Sequence, residues 1–203
     1  MKKALLVALA LLMTPMAALA ADYKEGVHYT VVNKGPATAK PEIAEFFSFY
    51  CPHCYSFAKV QVPQIKANLP EGVVFKQNHV EFIGREMGTE MSRAFAIAHQ
   101  LKVEDKIEQA LFAAIHDKKQ RFVNRDDIRQ VFIANGVSGK EFDAAANSFM
   151  VSAQMAQMKR ATENAQLSGV PALVVNGKYR VETGAIKSYD ELLDIAFYLT
   201  TLK

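Results

Sequence analysis

The sequence contains two cysteines, Cys51 and Cys54, set two residues apart around Pro52 and His53. A pair at that spacing can be oxidised reversibly to a disulfide, or it can supply half of a tetrahedral metal site. The loop such a disulfide closes is too short to stabilise a fold much through chain entropy, so the pair points to chemistry and not to a staple. Zinc needs about four ligands. The chain has no second cysteine pair, and His28, His79, His99 and His116 stand at no ligand spacing from the motif. Neither a metal nor a cofactor is therefore expected, and Cys51 and Cys54 read as a redox centre.

The motif follows directly on an apolar run and opens a helix. A helix N-terminus presents unpaired N–H groups and partial positive charge, which favour a thiolate over a thiol. Cys51 is thus expected to be the attacking thiolate. Pro52 suits the first helical turn, where a missing N–H costs nothing, and His53 can add a hydrogen bond or positive charge to the Cys51 sulfur. Whatever stabilises that thiolate stabilises the reduced protein and makes its disulfide easier to give away. Cys54, one turn further on, is the resolving thiol. Glu45 shares a strand face with Ile43, Phe47 and Phe49, which puts it in or beside the core. There it can take a raised pKa and exchange protons with Cys54, unless the carboxylate escapes to solvent at the strand end. Val170-Pro171, after Gly169, reads from sequence as a turn.

Positioning these residues requires strands at Tyr29 to Val32, Ile43 to Phe49 and Val73 to Phe82. The helix after Cys54 is expected to be bent or interrupted by Pro63. From Ile83 to Met158 the periodicity is helical, with Asn124 as an N-cap and a capping box of Ser138 and Glu141 opening a long helix through Phe142, Ala145 and Phe149. Strand character returns at Ala172 to Val175. Asn176-Gly177 then predicts a tight hairpin into Lys178 to Val181, and Ser188 with Glu191 caps a last helix. The plan is α/β, with the element order of a thioredoxin-like fold split by an inserted all-helical domain. Residues 21–82 and 159–203 would form the first unit and residues 83–158 the insertion.

Lys2 and Lys3, the apolar run Ala4 to Met13 and the small-residue frame Ala18-Leu19-Ala20 form a secretory signal peptide over residues 1–20. The chain has 24 basic and 21 acidic residues, and removing Lys2 and Lys3 leaves 22 against 21. Scattered charge so nearly balanced excludes a nucleic-acid partner. Export would place the protein in an oxidising compartment, where paired cysteines persist as a disulfide.

The stretch Glu45-Phe46-Phe47-Ser48-Phe49-Tyr50-Cys51-Pro52-His53-Cys54-Tyr55 resembles the DsbA family of bacterial periplasmic disulfide oxidants. So do Leu69-Pro70-Glu71-Gly72-Val73, Gly169-Val170-Pro171-Ala172 and Val175-Asn176-Gly177-Lys178-Tyr179, in the same order. The resemblance implies that Pro171 is a cis-proline lying against the disulfide and that Val170 offers backbone hydrogen bonds to a substrate strand. It implies a periplasmic, monomeric protein that gives its disulfide to exported proteins with free cysteines. A DsbB-type quinone-linked membrane oxidase would reoxidise it. Close relatives carry a lysine near the buried acid where this chain has Gln77, and an acidic residue where it has Ala58 or Lys59. Two other readings of the residues stay open: a disulfide isomerase or reductase, and a binding module in which the pair is structural.

Overall fold

The computed structural model describes residues 23–202, so the leader predicted at residues 1–20 lies outside the described residues. Five strands form one sheet: β1 (Tyr29–Val31), β2 (Glu42–Phe47), β3 (Val74–His79), β4 (Ala172–Val175) and β5 (Tyr179–Val181), in the order β1-β5-β4-β2-β3. β2 and β3 run parallel, joined by the helix α1 (Pro52–Asn68), as a parallel pair requires a long crossover. The other pairings are antiparallel. Between β3 and β4 come α2 (Glu86–Leu101), α3 (Glu104–His116), α4 (Arg125–Ala134), α5 (Gly139–Ala146) and α6 (Phe149–Asn164), and α7 (Tyr189–Thr200) follows β5. This is the thioredoxin-like α/β fold with an inserted helical domain.

Strand β2 is central and covered on both faces, which accounts for its apolar run. Ile43 packs with Phe57 and Ile65 of α1 and with Ile195 and Leu199 of α7. Phe46 points the other way, to Val174 and Ala165 with Ala161 of α6 alongside. Phe47 and Phe49 reach into the insertion, with ring centroids 5.2 Å from Phe95 of α2 and 5.1 Å from Phe112 of α3, both edge-on. The core of the insertion is therefore continuous with the strand that delivers the cysteine motif.

Three expectations are corrected. Of the bend or interruption expected at Pro63, the interruption does not occur, since α1 runs through it to Asn68. The helix opened by Ser138 is short: Asn147 ends it, and Ser148 accepts from the Val151 N–H to start α6 afresh. The strands at Ile43 to Phe49 and Val73 to Phe82 are shorter than their apolar runs, because Phe49 and Val80 stay buried after leaving the sheet. The capping boxes Asn124–Asp127 and Ser138–Glu141 are both present. In the hairpin, Asn176 and Gly177 have φ of 54° and 62°, the left-handed values their sequence predicted. The pairing of Val175 with Tyr179 leaves Lys178 in the turn. The Asn176 side chain accepts from the Glu42 N–H at 3.0 Å and donates to the Leu199 and Leu202 carbonyls at 3.2 and 3.1 Å. It thereby ties the hairpin to the start of β2 and the end of α7. Among the described residues no helix is long and apolar enough to cross a membrane.

Candidate active site

The chain leaves β2 and turns at Ser48, whose carbonyl accepts from the Cys51 N–H at 3.0 Å. Cys51 is then the N-cap of α1, with extended backbone angles of φ −91° and ψ 115°, and Pro52 occupies the first turn. Where a serine or aspartate oxygen would usually satisfy an orphan N–H, the Cys51 sulfur accepts from the Cys54 N–H at 3.2 Å. The cap position thus holds the atom that gains most from negative charge there. Both cysteines are free thiols. Cys51 keeps 6% of its surface exposed and Cys54 keeps 0%, so only Cys51 can meet an incoming sulfur.

The two thiols are pushed apart in acidity. Cys51 is lowered to about 6, first by the hydrogen bond it receives from the Cys54 thiol, then by the backbone N–H groups of Cys54 and His53 and the field of the His53 ring, against partial burial. Cys54 is raised well above the thiol range because it donates that bond and is buried, with the charge of Glu45 adding to the effect. The arrangement puts the anion on Cys51 and the proton on Cys54.

The turn at Val170 and Pro171 packs against this pair. The Val170–Pro171 bond is cis, and while Cys51 is protonated its thiol donates to the Val170 carbonyl at 3.3 Å. A groove of about 630 Å³ opens beside it, with His53, Pro171, Phe57, Tyr189 and Leu192 among its lining residues. His53 itself is exposed on the first turn of α1.

Two histidines with no role assigned from sequence hold the approach to the motif. The Phe49 N–H donates to His79 Nε2 at 3.1 Å, and the Phe49 carbonyl accepts from His116 Nε2 at 2.8 Å. Burial pushes His79 down to about 3 and so keeps its ring neutral. With Nε2 accepting, its proton sits on Nδ1 and is given to Ser92 Oγ at 2.8 Å. His116 stacks on Tyr55 at 5.1 Å, and Lys59 lies 3.7 Å above the same tyrosine ring. The peptide two residues before Cys51 is therefore gripped by β3 on one side and by the insertion on the other. No local pattern marks these histidines, since both partners are distant in sequence.

Glu45 lies in the core, only 1% exposed. Across the parallel pair its register partner is Gln77, whose Nε2 donates to Glu45 Oε2 at 3.0 Å and to Glu108 Oε1 of α3 at 3.2 Å. Burial first, and the Glu108 charge second, push Glu45 up to about 8. Glu108, which no motif or spacing singles out, is pushed up to about 6, again chiefly by burial.

Residues 42–194 match the family described as DSBA-like thioredoxin domain. The chain is 41% identical over 203 residues to the thiol:disulfide interchange protein DsbA of Escherichia coli, covering 99% of this chain and 97% of that protein. It is 43% identical over 192 residues to the DsbA of Yersinia pestis, covering 91% of each. Among solved structures, a DsbA variant of Proteus mirabilis with the non-covalently bound peptide PWATCDS superposes with a TM-score of 0.80 at 38% identity, covering 89% of this chain and 100% of that one. The DsbA of Pseudomonas aeruginosa gives a TM-score of 0.78 at 30% identity, covering 89% and 94%.

Proposed function

The chain belongs to the family of DSBA-like thioredoxin-domain proteins and is a protein disulfide oxidoreductase, and from that premise we propose that it works as an oxidase of exported proteins. The observation that carries this direction is the Cys51 sulfur serving as the cap of α1. Each donor aimed at it stabilises the thiolate, hence the reduced protein, hence the loss of the disulfide to a client. Strong oxidising power is an established property of the DsbA family, and the donors gathered at Cys51 give it a physical cause in this chain.

A client thiolate attacks the Cys51 sulfur, the one of the two with any open surface, forming a mixed disulfide and releasing Cys54. A second client thiolate then attacks the client sulfur of that bond, and Cys51 leaves as a stabilised thiolate. The client loses two electrons and the protein gains them. Glu45 gives a proton to Cys54 as it leaves, and His53 adds field at Cys51. The client backbone lies along Val170 and Pro171 beside the groove at His53, a reading supported by the Proteus mirabilis relative having been solved with a cysteine-containing peptide. A DsbB-type membrane oxidase linked to quinone restores the disulfide, and the protein acts in the periplasm as a monomer after loss of residues 1–20. In the division proposed, residues 83–158 form the inserted domain against 21–82 with 159–203. The end of α6 beyond it then lies on the sheet, where Ala161 and Ala165 meet Phe46.

The deciding experiment is the equilibrium of Cys51 and Cys54 against a glutathione buffer, with the thiolate titrated by ultraviolet absorbance in the same preparation. An acidic Cys51 and a couple far more oxidising than that of thioredoxin are expected. A reducing couple with an ordinary thiol would overturn the oxidase in favour of a reductase.

A further inference from the structure

Glu45 does not face the interior alone. The Gln77 side-chain nitrogen has two hydrogens, and its two contacts are both carboxylates, Glu45 at 3.0 Å and Glu108 at 3.2 Å. One carboxylate comes from the central strand and the other from α3 of the insertion. They differ in access to water. Glu45 is 1% exposed, whereas Glu108, itself largely buried at 8%, reaches a groove of about 520 Å³ between α1 and α3 lined also by Lys59, Lys66 and Asp105.

We infer that Glu45 and Glu108 share one proton across Gln77, with Glu108 as the positioning residue that sets how firmly Glu45 holds the proton it trades with Cys54. The inference rests on the proposed exchange between Glu45 and Cys54 and adds a residue of the insertion to it.

Two carboxylates in contact with one neutral amide cannot both be charged cheaply inside a protein. The cation whose field acts on both acids is Lys66 of α1, which commits its charge to Asp105 at 3.3 Å near the surface. It reaches the pair only as a weaker field on each acid. From α1 and its cap the remaining titratable groups are Cys51 and Cys54 on the Glu45 side and Tyr55 and Lys59 along the groove at Glu108, where Lys59 lies over the Tyr55 ring, and from α3 Asp105 adds negative charge. From β4 the residue opposite Glu45 is the apolar Leu173. On α2, His99 lines a second groove with Gln77 and lies 3.9 Å from Glu104. The first charge therefore settles on the wetter Glu108, and Glu45 keeps its proton, in agreement with the order of their acidities.

The chemistry balances. When a client thiolate bonds to Cys51, the electron pair of the broken Cys51–Cys54 bond leaves on Cys54 and the Glu45 proton moves to that sulfur. The pair then carries two negative charges, and the excess is relieved by a proton taken up from the groove at Glu108. Removing the Glu108 charge makes Glu45 a stronger acid and so a poorer holder of its proton.

The test is carboxyl carbon NMR on protein labelled at glutamate, following Glu45 and Glu108 through pH in the wild type, in Glu108→Gln and in Glu45→Gln. The Glu45 midpoint is expected to fall by about one pH unit or more in E108Q. Glu108 ionises first, beside a protonated Glu45, so its midpoint is expected to stay near its wild-type place in E45Q. In the wild type its resonance is expected to show a second step at the Glu45 midpoint, and E45Q removes that step, which keeps the coupling readable if E108Q does not fold. A Glu45 midpoint that stays in place in E108Q, or a Glu108 resonance with no step at the Glu45 midpoint, overturns the pair. The pH profile of disulfide exchange is read in the same samples, and its Glu45 limb is expected to move with the NMR midpoint in E108Q. Coupled carboxylates with a profile blind to both variants would overturn the exchange between Glu45 and Cys54, and with it the catalytic use of the pair.

Discussion

Cys51 and Glu45 lie six positions apart along one stretch of chain, yet their surroundings treat negative charge in opposite ways. At Cys51 the backbone has just left the sheet and entered a helix, so N–H groups without carbonyl partners converge on the sulfur. At Glu45 the neighbouring strands β3 and β4 flank the residue, and the carboxylate is left with one side-chain amide that it shares with a second acid. One site draws an anion in and the other holds a proton back. In the exchange proposed, a single strand keeps apart the two charges that the reaction must handle, the anion accepted at its exit and the proton supplied from its interior.

The sharpest break of that contrast is Cys51→Ser. It should reduce disulfide exchange with a cysteine peptide by at least about 10³-fold, while circular dichroism stays unchanged because serine is itself a good cap. Residual exchange near the wild-type rate would make Cys54 the attacking thiol.

At the other site, Glu45 has a folded pKa of about 8 above an unfolded value near 4.5. Its contribution to stability is therefore full below pH 4.5 and lost as pH rises through 8. Relative to wild type, Glu45→Gln should gain up to about 3–5 kcal/mol in urea unfolding at pH 9 over pH 4.5, at about 1.4 kcal/mol for each pH unit between the two values. Taking the difference between variant and wild type removes the opposing trend of Cys51. Parallel pH profiles for the two proteins would mean that Glu45 is solvated as an ordinary carboxylate.

His53→Ala sharpens the first half of the comparison. The His53 field is the smallest of the causes acting on Cys51, so the thiol should rise by less than about one pH unit in an ultraviolet titration. A larger rise would transfer the main role from the backbone to the ring. The smallest effect is expected of His116→Phe, which keeps the stack on Tyr55 and loses the bond to the Phe49 carbonyl. It should cost about 1 kcal/mol in thermal unfolding and leave the redox equilibrium in place.

What the sequence made legible is what local rules govern. Cys51 and Pro52 announce a helix start, Asn124 and Ser138 announce caps, and Asn176-Gly177 announces a turn with two left-handed residues. Glu45 announced its burial through strand alternation. The end of the short helix after Ser138 was also written in Asn147 and Ser148, where a second capping residue was outweighed by the apolar period running on to Phe149. The histidine grip on Phe49 and the carboxylate Glu108 were not legible, because each joins residues about 30 or more positions apart. The face of α3 that meets Gln77 depends on how the insertion docks, and no local period encodes that.

The placement of the insertion also sets the order in which the protein can be made. Cys51 and the Val170 carbonyl that meets it are 119 residues apart, and β2 finds its antiparallel neighbour β4 only after the whole helical block has emerged. Helices close short loops early, while a pairing across so long a loop comes late. For that interval the nascent chain carries two cysteines on an unfinished sheet, without the turn that later covers them. In the function proposed, the enzyme begins life in the same condition as its clients, as an exported chain with free thiols and a fold still to complete.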